Sequence, residues 1–109
     1  MSTEKFVLKG KKHVIDKDPD AELDYVADFT DFLTPVGDTI ATAEIVETTG
    51  GITVLSVAPD VGGLTATAWL SGGDITVNGQ YASATFEIVT NNTPPRIEHK
   101  TLYFNVLQK

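Results

Sequence analysis

The chain has no cysteine among its 109 residues, which excludes disulfides, thiol catalysis and zinc–thiolate sites together. It has no apolar run of membrane-spanning length and no apolar region behind its N-terminal lysines. Neither a transmembrane helix nor a signal peptide is therefore expected. No stretch repeats apolar residues at the helical period of about 3.6 over several turns. Histidine is confined to His13 and His99, and neither has a ligand-spaced partner, so both read as surface histidines rather than metal ligands or a proton relay. Basic residues are outnumbered 8 to 15, and an acidic body argues against nucleic-acid binding by the domain. What is left is ordinary apolar content on a chain long enough for one core.

The charge is unevenly placed. Residues 1–17 carry Lys5, Lys9, Lys11, Lys12 and Lys17 against Glu4 and Asp16, a net of +3, whereas three basic and thirteen acidic residues give 18–109 a net of −10. Phe6-Val7-Leu8 and Val14-Ile15 are short apolar clips between these charges. The segment reads as an extended basic arm that either docks on acidic surface, with Phe6, Val7, Leu8, Val14 and Ile15 as anchors in a neighbouring subunit, or starts the chain as a solvated tail. In Lys17-Asp18-Pro19-Asp20 the proline fixes φ and the aspartates cap backbone donors, which marks a turn. The expected division is an arm over 1–17 and a single domain over 18–109.

That domain is organised around Thr65-Ala-Thr-Ala-Trp-Leu-Ser-Gly-Gly73. With a side-chain period of two, Leu64, Ala66, Ala68 and Leu70 share one face, and Thr65, Thr67 and Trp69 the other. Trp69 is the only tryptophan, and it points outward on this strand, as an interface residue or as plain packing at the sandwich edge. Double glycines at 50–51, 62–63 and 72–73 and the Asn78-Gly79 pair punctuate the sequence. The strands predicted between them are Leu23–Phe29, Thr39–Glu47, Ile52–Ala58, Leu64–Leu70, Ile75–Val77, Tyr81–Thr90 and Arg96–Leu107. Asn-Gly favours a two-residue hairpin, so Ile75–Val77 is expected to pair with the start of Tyr81–Thr90. Ala82, Ala84, Phe86 and Ile88 form one inward face, and Leu102, Phe104 and Val106 another. Seven short strands in this length predict an all-β, immunoglobulin-like sandwich with an extended N-terminal arm.

Few constellations could carry chemistry. Asp16, Asp18, Asp20, Glu22 and Asp24 alternate like the oxygens of a calcium loop, but Pro19 stands inside the series and the glycine such a loop needs is missing. On an extended segment the five acids would share one solvated face. Ser56, Ser71 and Ser83 lack a nucleophile elbow, and Ser71-Gly72-Gly73-Asp74 has no lysine and opens no helix, so no phosphate loop is expected. No catalytic residue, metal or cofactor is expected.

The chain resembles a group of small tailed-bacteriophage virion proteins of immunoglobulin-like fold, of the fibre–tail adaptor or head–tail-associated type. The resemblance lies in Lys17-Asp18-Pro19-Asp20-Ala21-Glu22-Leu23-Asp24-Tyr25, in Asp38-Thr39-Ile40-Ala41 and in Trp69-Leu70-Ser71-Gly72-Gly73, in that order and spacing. Asn91-Asn92-Thr93-Pro94-Pro95-Arg96 departs from the group's Gly-Arg turn before the last strand, and the segment before Lys17 is longer. The resemblance implies a non-enzymatic virion protein present in many copies, with tail, fibre, portal-proximal or capsid subunits as partners. It points to an adaptor for fibres or a tail module at the head–tail region. A capsid decoration protein gripping the shell through its arm is the alternative in the same class. A carbohydrate-binding module using Trp69, Tyr81 and Tyr103 is the alternative from another.

Overall fold

A computed structural model describes residues 7–9 and 12–107. The strands are β1 (Val7–Lys9), β2 (Lys12–Lys17), β3 (Leu23–Asp28), β4 (Ile40–Thr49), β5 (Ile52–Pro59), β6 (Thr65–Gly72), β7 (Ala82–Thr90) and β8 (Ile97–Val106). One turn of helix, α1 (Thr30–Leu33), and a 3-10 turn over Thr34–Val36 make the corner between β3 and β4. A five-stranded sheet in the order β1-β2-β8-β7-β4 faces a three-stranded sheet in the order β3-β6-β5. Strands β2 to β8 form an immunoglobulin-like sandwich of seven strands, and β1 extends one edge of the larger sheet.

The core follows the alternation of the sequence. Ala66, Ala68 and Leu70 of β6, Phe86 and Ile88 of β7, and Phe104 and Val106 of β8 are fully buried, as are Tyr25 and Ala27 of β3. The ring of Tyr25 meets that of Phe104 edge-on at 5.0 Å and 74°, an aromatic contact of favourable geometry that joins the two sheets. Alanines on β6 and β7 keep the sheets close enough for these rings to interlock.

The structure departs from the predicted elements in three places. The first is β2, placed by sequence in an arm separate from the domain. It is a strand of the sandwich, running parallel to β8 with Val14 opposite Tyr103 and Ile15 opposite Phe104. Val14 and Ile15 are buried, and Ile15 joins the core. Without β2 the edge of β8 would be unpaired and the core open beside Phe104.

Ile75–Val77 is not a strand. The Asn78-Gly79 turn does form, with both φ values positive (56° and 73°) and the Gln80 N–H donating to the Val77 carbonyl at 3.1 Å. No hairpin forms there, because β7 already has β4 on one side and β8 on the other. The segment is tied to β8 instead. The Thr76 N–H donates to the Val106 carbonyl, and the Val106 N–H donates to Thr76 Oγ1 at 2.8 Å.

The third departure is in β4, predicted over Thr39–Glu47 and running over Ile40–Thr49. Irregularities between Ile40 and Thr42 and between Ile45 and Glu47 shift the alternation, so Ile40, Ala43 and Ile45 all pack on the core. Each bulge inserts one residue, Ala41 or Val46, and re-phases the rest of the strand.

Phe86 is central to this packing, with no exposed surface. Phe86→Ala is expected to cost about 3–5 kcal/mol in unfolding free energy, the range for a large aromatic removed from a core. Urea melts of the two proteins measure it, and a loss under about 1 kcal/mol would mean that the site collapses around the cavity or is not core.

Candidate interaction surfaces

Each end of the sandwich is closed by one buried charged side chain. At the end formed by residues 18–22, 50–51 and 72–81, Lys17 is only 1% exposed. Its Nζ donates to the carbonyls of Asp18 at 3.1 Å, Ala21 at 2.9 Å and Gly72 at 2.7 Å. An ammonium has three protons to donate, and here each meets an acceptor. Burial pulls the Lys17 pKa below its ordinary value, while the charges of Asp18 and Asp20 act in the opposite direction. Gly72 fits this knot because a side chain would not: at φ 76°, a Cβ would stand 2.8 Å from the Gly51 carbonyl oxygen. One side chain thus ties the end of β2, the turn before β3 and the end of β6, and joins two of the stretches that carry the family resemblance.

At the opposite end Asp38 is buried. Its Oδ1 accepts from the N–H of Thr39 at 2.8 Å and of Asn92 at 3.1 Å. Burial works to raise its pKa, but the Thr90 hydroxyl, the two N–H groups and the charge of Arg96 outweigh it and hold the carboxyl below its ordinary 3.8. Arg96 reaches the Phe32 carbonyl at 3.1 Å and lies over the Phe32 ring at 4.1 Å. The loop between β7 and β8 is therefore anchored to the α1 corner by Asp38 and Arg96.

Between these ends, the outward faces and edges are the surfaces open to partners. Trp69 is 40% exposed on the outer face of the small sheet, between Asp24 of β3 and Ser56 of β5. A bulge between Val54 and Ser56 turns Leu55 outward beside that row, and the bulge in β4 does the same for Val46. Both aliphatics are about half exposed. They stand at equal distances from the Gly50-Gly51 turn that joins β4 to β5. Periodicity alone could not find this pair, because each is the residue that breaks the period.

The anchors expected in the N-terminal segment are divided by the structure. Val14 and Ile15 belong to the buried sandwich and cannot serve a neighbour. Val7 and Leu8 lie in β1, opposite Val14 and His13 of β2, and Phe6 lies outside the described residues. The acidic series is also divided: Asp16, Asp20 and Glu22 are exposed, but Asp24 is fully buried, so the five acids do not share a solvated face. Among the described residues, no three His, Asp or Glu side chains gather as metal ligands would. An open hollow near α1 is lined by Phe29, Phe32, Glu98, His99 and Lys100, among others. Lys100 commits its amine there to the Asp28 carbonyl, and His99 pairs with Glu87 of β7 at 2.8 Å.

In comparison with known families, residues 17–104 match the family described as podophage GP4 fiber-tail adaptor protein gp77. No curated protein and no solved structure matches the chain.

The Asp38 geometry has a pH signature. A carboxyl whose folded pKa is lowered contributes stability that is present above its unfolded value and lost as pH falls through the folded one. The stability gap between the native chain and Asp38→Asn, from urea unfolding, is therefore expected to narrow as pH drops below about 3.8. A gap independent of pH would show that the charge of Asp38 contributes nothing.

Proposed function

This chain belongs to the podophage GP4 fiber-tail adaptor family, and on that footing we propose that it joins fibres to the tail at the head–tail region of the particle. The family makes it a structural component of a bacteriophage virion. We propose further that it acts without enzymatic chemistry and is present in several copies on the particle. The observation that carries the reading is the family match itself, which spans β3 to β7 and most of β8 together with the Lys17 and Asp38 knots.

The architecture suits such a role. An adaptor must hold two partners at fixed separation, and a sandwich whose sheets are tied by the buried, fully hydrogen-bonded Lys17 resists shear between them at that end. Two contact regions are proposed. One is the N-terminal segment through Phe6, Val7 and Leu8. The other is the exposed apolar surface of Trp69 with Leu55, since an aromatic on a rigid strand is a favoured interface anchor. A sugar platform built from Trp69 and Tyr103 is disfavoured, because they lie on the outer faces of different sheets.

Phage unable to make this protein tests the reading. Electron microscopy of the resulting particles is expected to show heads and tail module without attached fibres. Particles that retain a full set of fibres would overturn it.

A further inference from the structure

The larger sheet has two open edges among the described residues, β1 on one side and β4 on the other. Open edges invite pairing with another chain, and charge decides which pairing is tolerated. The edge at β1 is basic by sequence: Lys9 in β1 faces Lys12 in β2, next to Lys11 in the chain. The edge at β4 is acidic, with Glu44 and Glu47 both exposed, and Glu44 stands opposite Glu87. A symmetric β4-to-β4 contact would bring glutamates together, and a symmetric β1-to-β1 contact would bring lysines together. Like charges across a ladder are destabilising. Only the mixed contact, β1 of one copy against β4 of the next, sets opposite charges face to face.

Strand direction and level favour the same contact. β1 is antiparallel to β2, β2 is parallel to β8, and β8, β7 and β4 alternate. β1 and β4 therefore run in opposite directions, and two copies side by side in the same orientation would meet as an antiparallel pair. One row of partners crosses the whole sheet, Val7–Val14–Tyr103–Ser83–Thr49, so the two edges lie level. Two residues along that axis, Lys9 pairs with Lys12 at one edge and Glu47 with Thr85 at the other.

We infer that copies of this protein associate edge to edge, β1 of one subunit extending the sheet of the next at β4, with Lys9 and Lys12 against Glu44 and Glu47. The contact is head-to-tail, so its repetition closes a ring or grows a filament according to the rotation per subunit. It rests on the reading of this protein as a multi-copy adaptor and names the neighbour that its N-terminal segment meets.

Sedimentation of the purified full-length chain over a concentration series at low salt tests it. The native chain is expected to self-associate, and more weakly as salt rises. Lys9→Glu with Lys12→Glu, and separately Glu44→Lys with Glu47→Lys, should each weaken association by at least about tenfold. An equimolar mixture of the two variants sets opposite charge at both kinds of mixed junction and should recover association through alternating subunits. A native chain that stays monomeric at every concentration overturns the inference, as does association that neither reversal weakens or a mixture that forms no dimer. Counting copies on purified particles separates this from the adaptor reading. Protein that is built into particles yet never self-associates leaves the adaptor standing and removes the edge contact, whereas self-association without incorporation does the reverse.

Discussion

The structure depends on one buried ammonium. Taking a lysine amine out of water costs several kcal/mol unless its protons are satisfied, and Lys17 meets that cost with three backbone carbonyls. Those carbonyls come from the turn into β3 and from Gly72 at the end of β6. The two sheets cannot slide apart at this end without stranding a charge. At the far end Asp38, of opposite sign, accepts from backbone N–H groups of the β4 entry and of the loop before β8, and so ties two parts of the larger sheet together. The apolar core between them sets most of the stability, and Lys17 fixes how the sheets sit on each other at its end.

Much of this was legible in the chain because β-strands half buried on one face declare themselves by alternation. Ala66, Ala68 and Leu70, and likewise Phe86 with Ile88 and Phe104 with Val106, face inward where period two places them. Alternation fails where a strand carries a bulge, so the register of β4 could not be read through Ala41 and Val46. It fails again for β2, whose Val14 and Ile15 are neighbours buried on opposite faces, a pattern that a short sequence clip shares with a docking arm. Asn78-Gly79 gave the right turn and the wrong partner, because a turn signal reports local φ and not whether the adjoining strand has a free edge. The role of Lys17 was invisible as chemistry: a lysine beside aspartates reads as surface, and only the fold brings the Gly72 carbonyl to it.

The stretches that carry the family resemblance, around Lys17, Asp38 and Trp69 to Gly73, prove in large part to be structural knots. They say what kind of body this is, a rigid sandwich of the fiber-tail adaptor family. The surfaces proposed for its contacts carry little sequence signal: bulged aliphatics at Val46 and Leu55, one outward tryptophan, and two sheet edges of opposite charge.

Lys12–Lys17 enters the sandwich as β2, and the Lys17 knot holds it there. Amide hydrogen exchange of the isolated protein tests this most directly. If β2 is part of the cooperative unit, amides of Ile15 to Lys17 bonded in the β2–β8 ladder exchange as slowly as those of β7 and β8, through global unfolding. Exchange of the β2 amides at the rate of an unstructured tail, while β7 and β8 stay protected, would contradict the account.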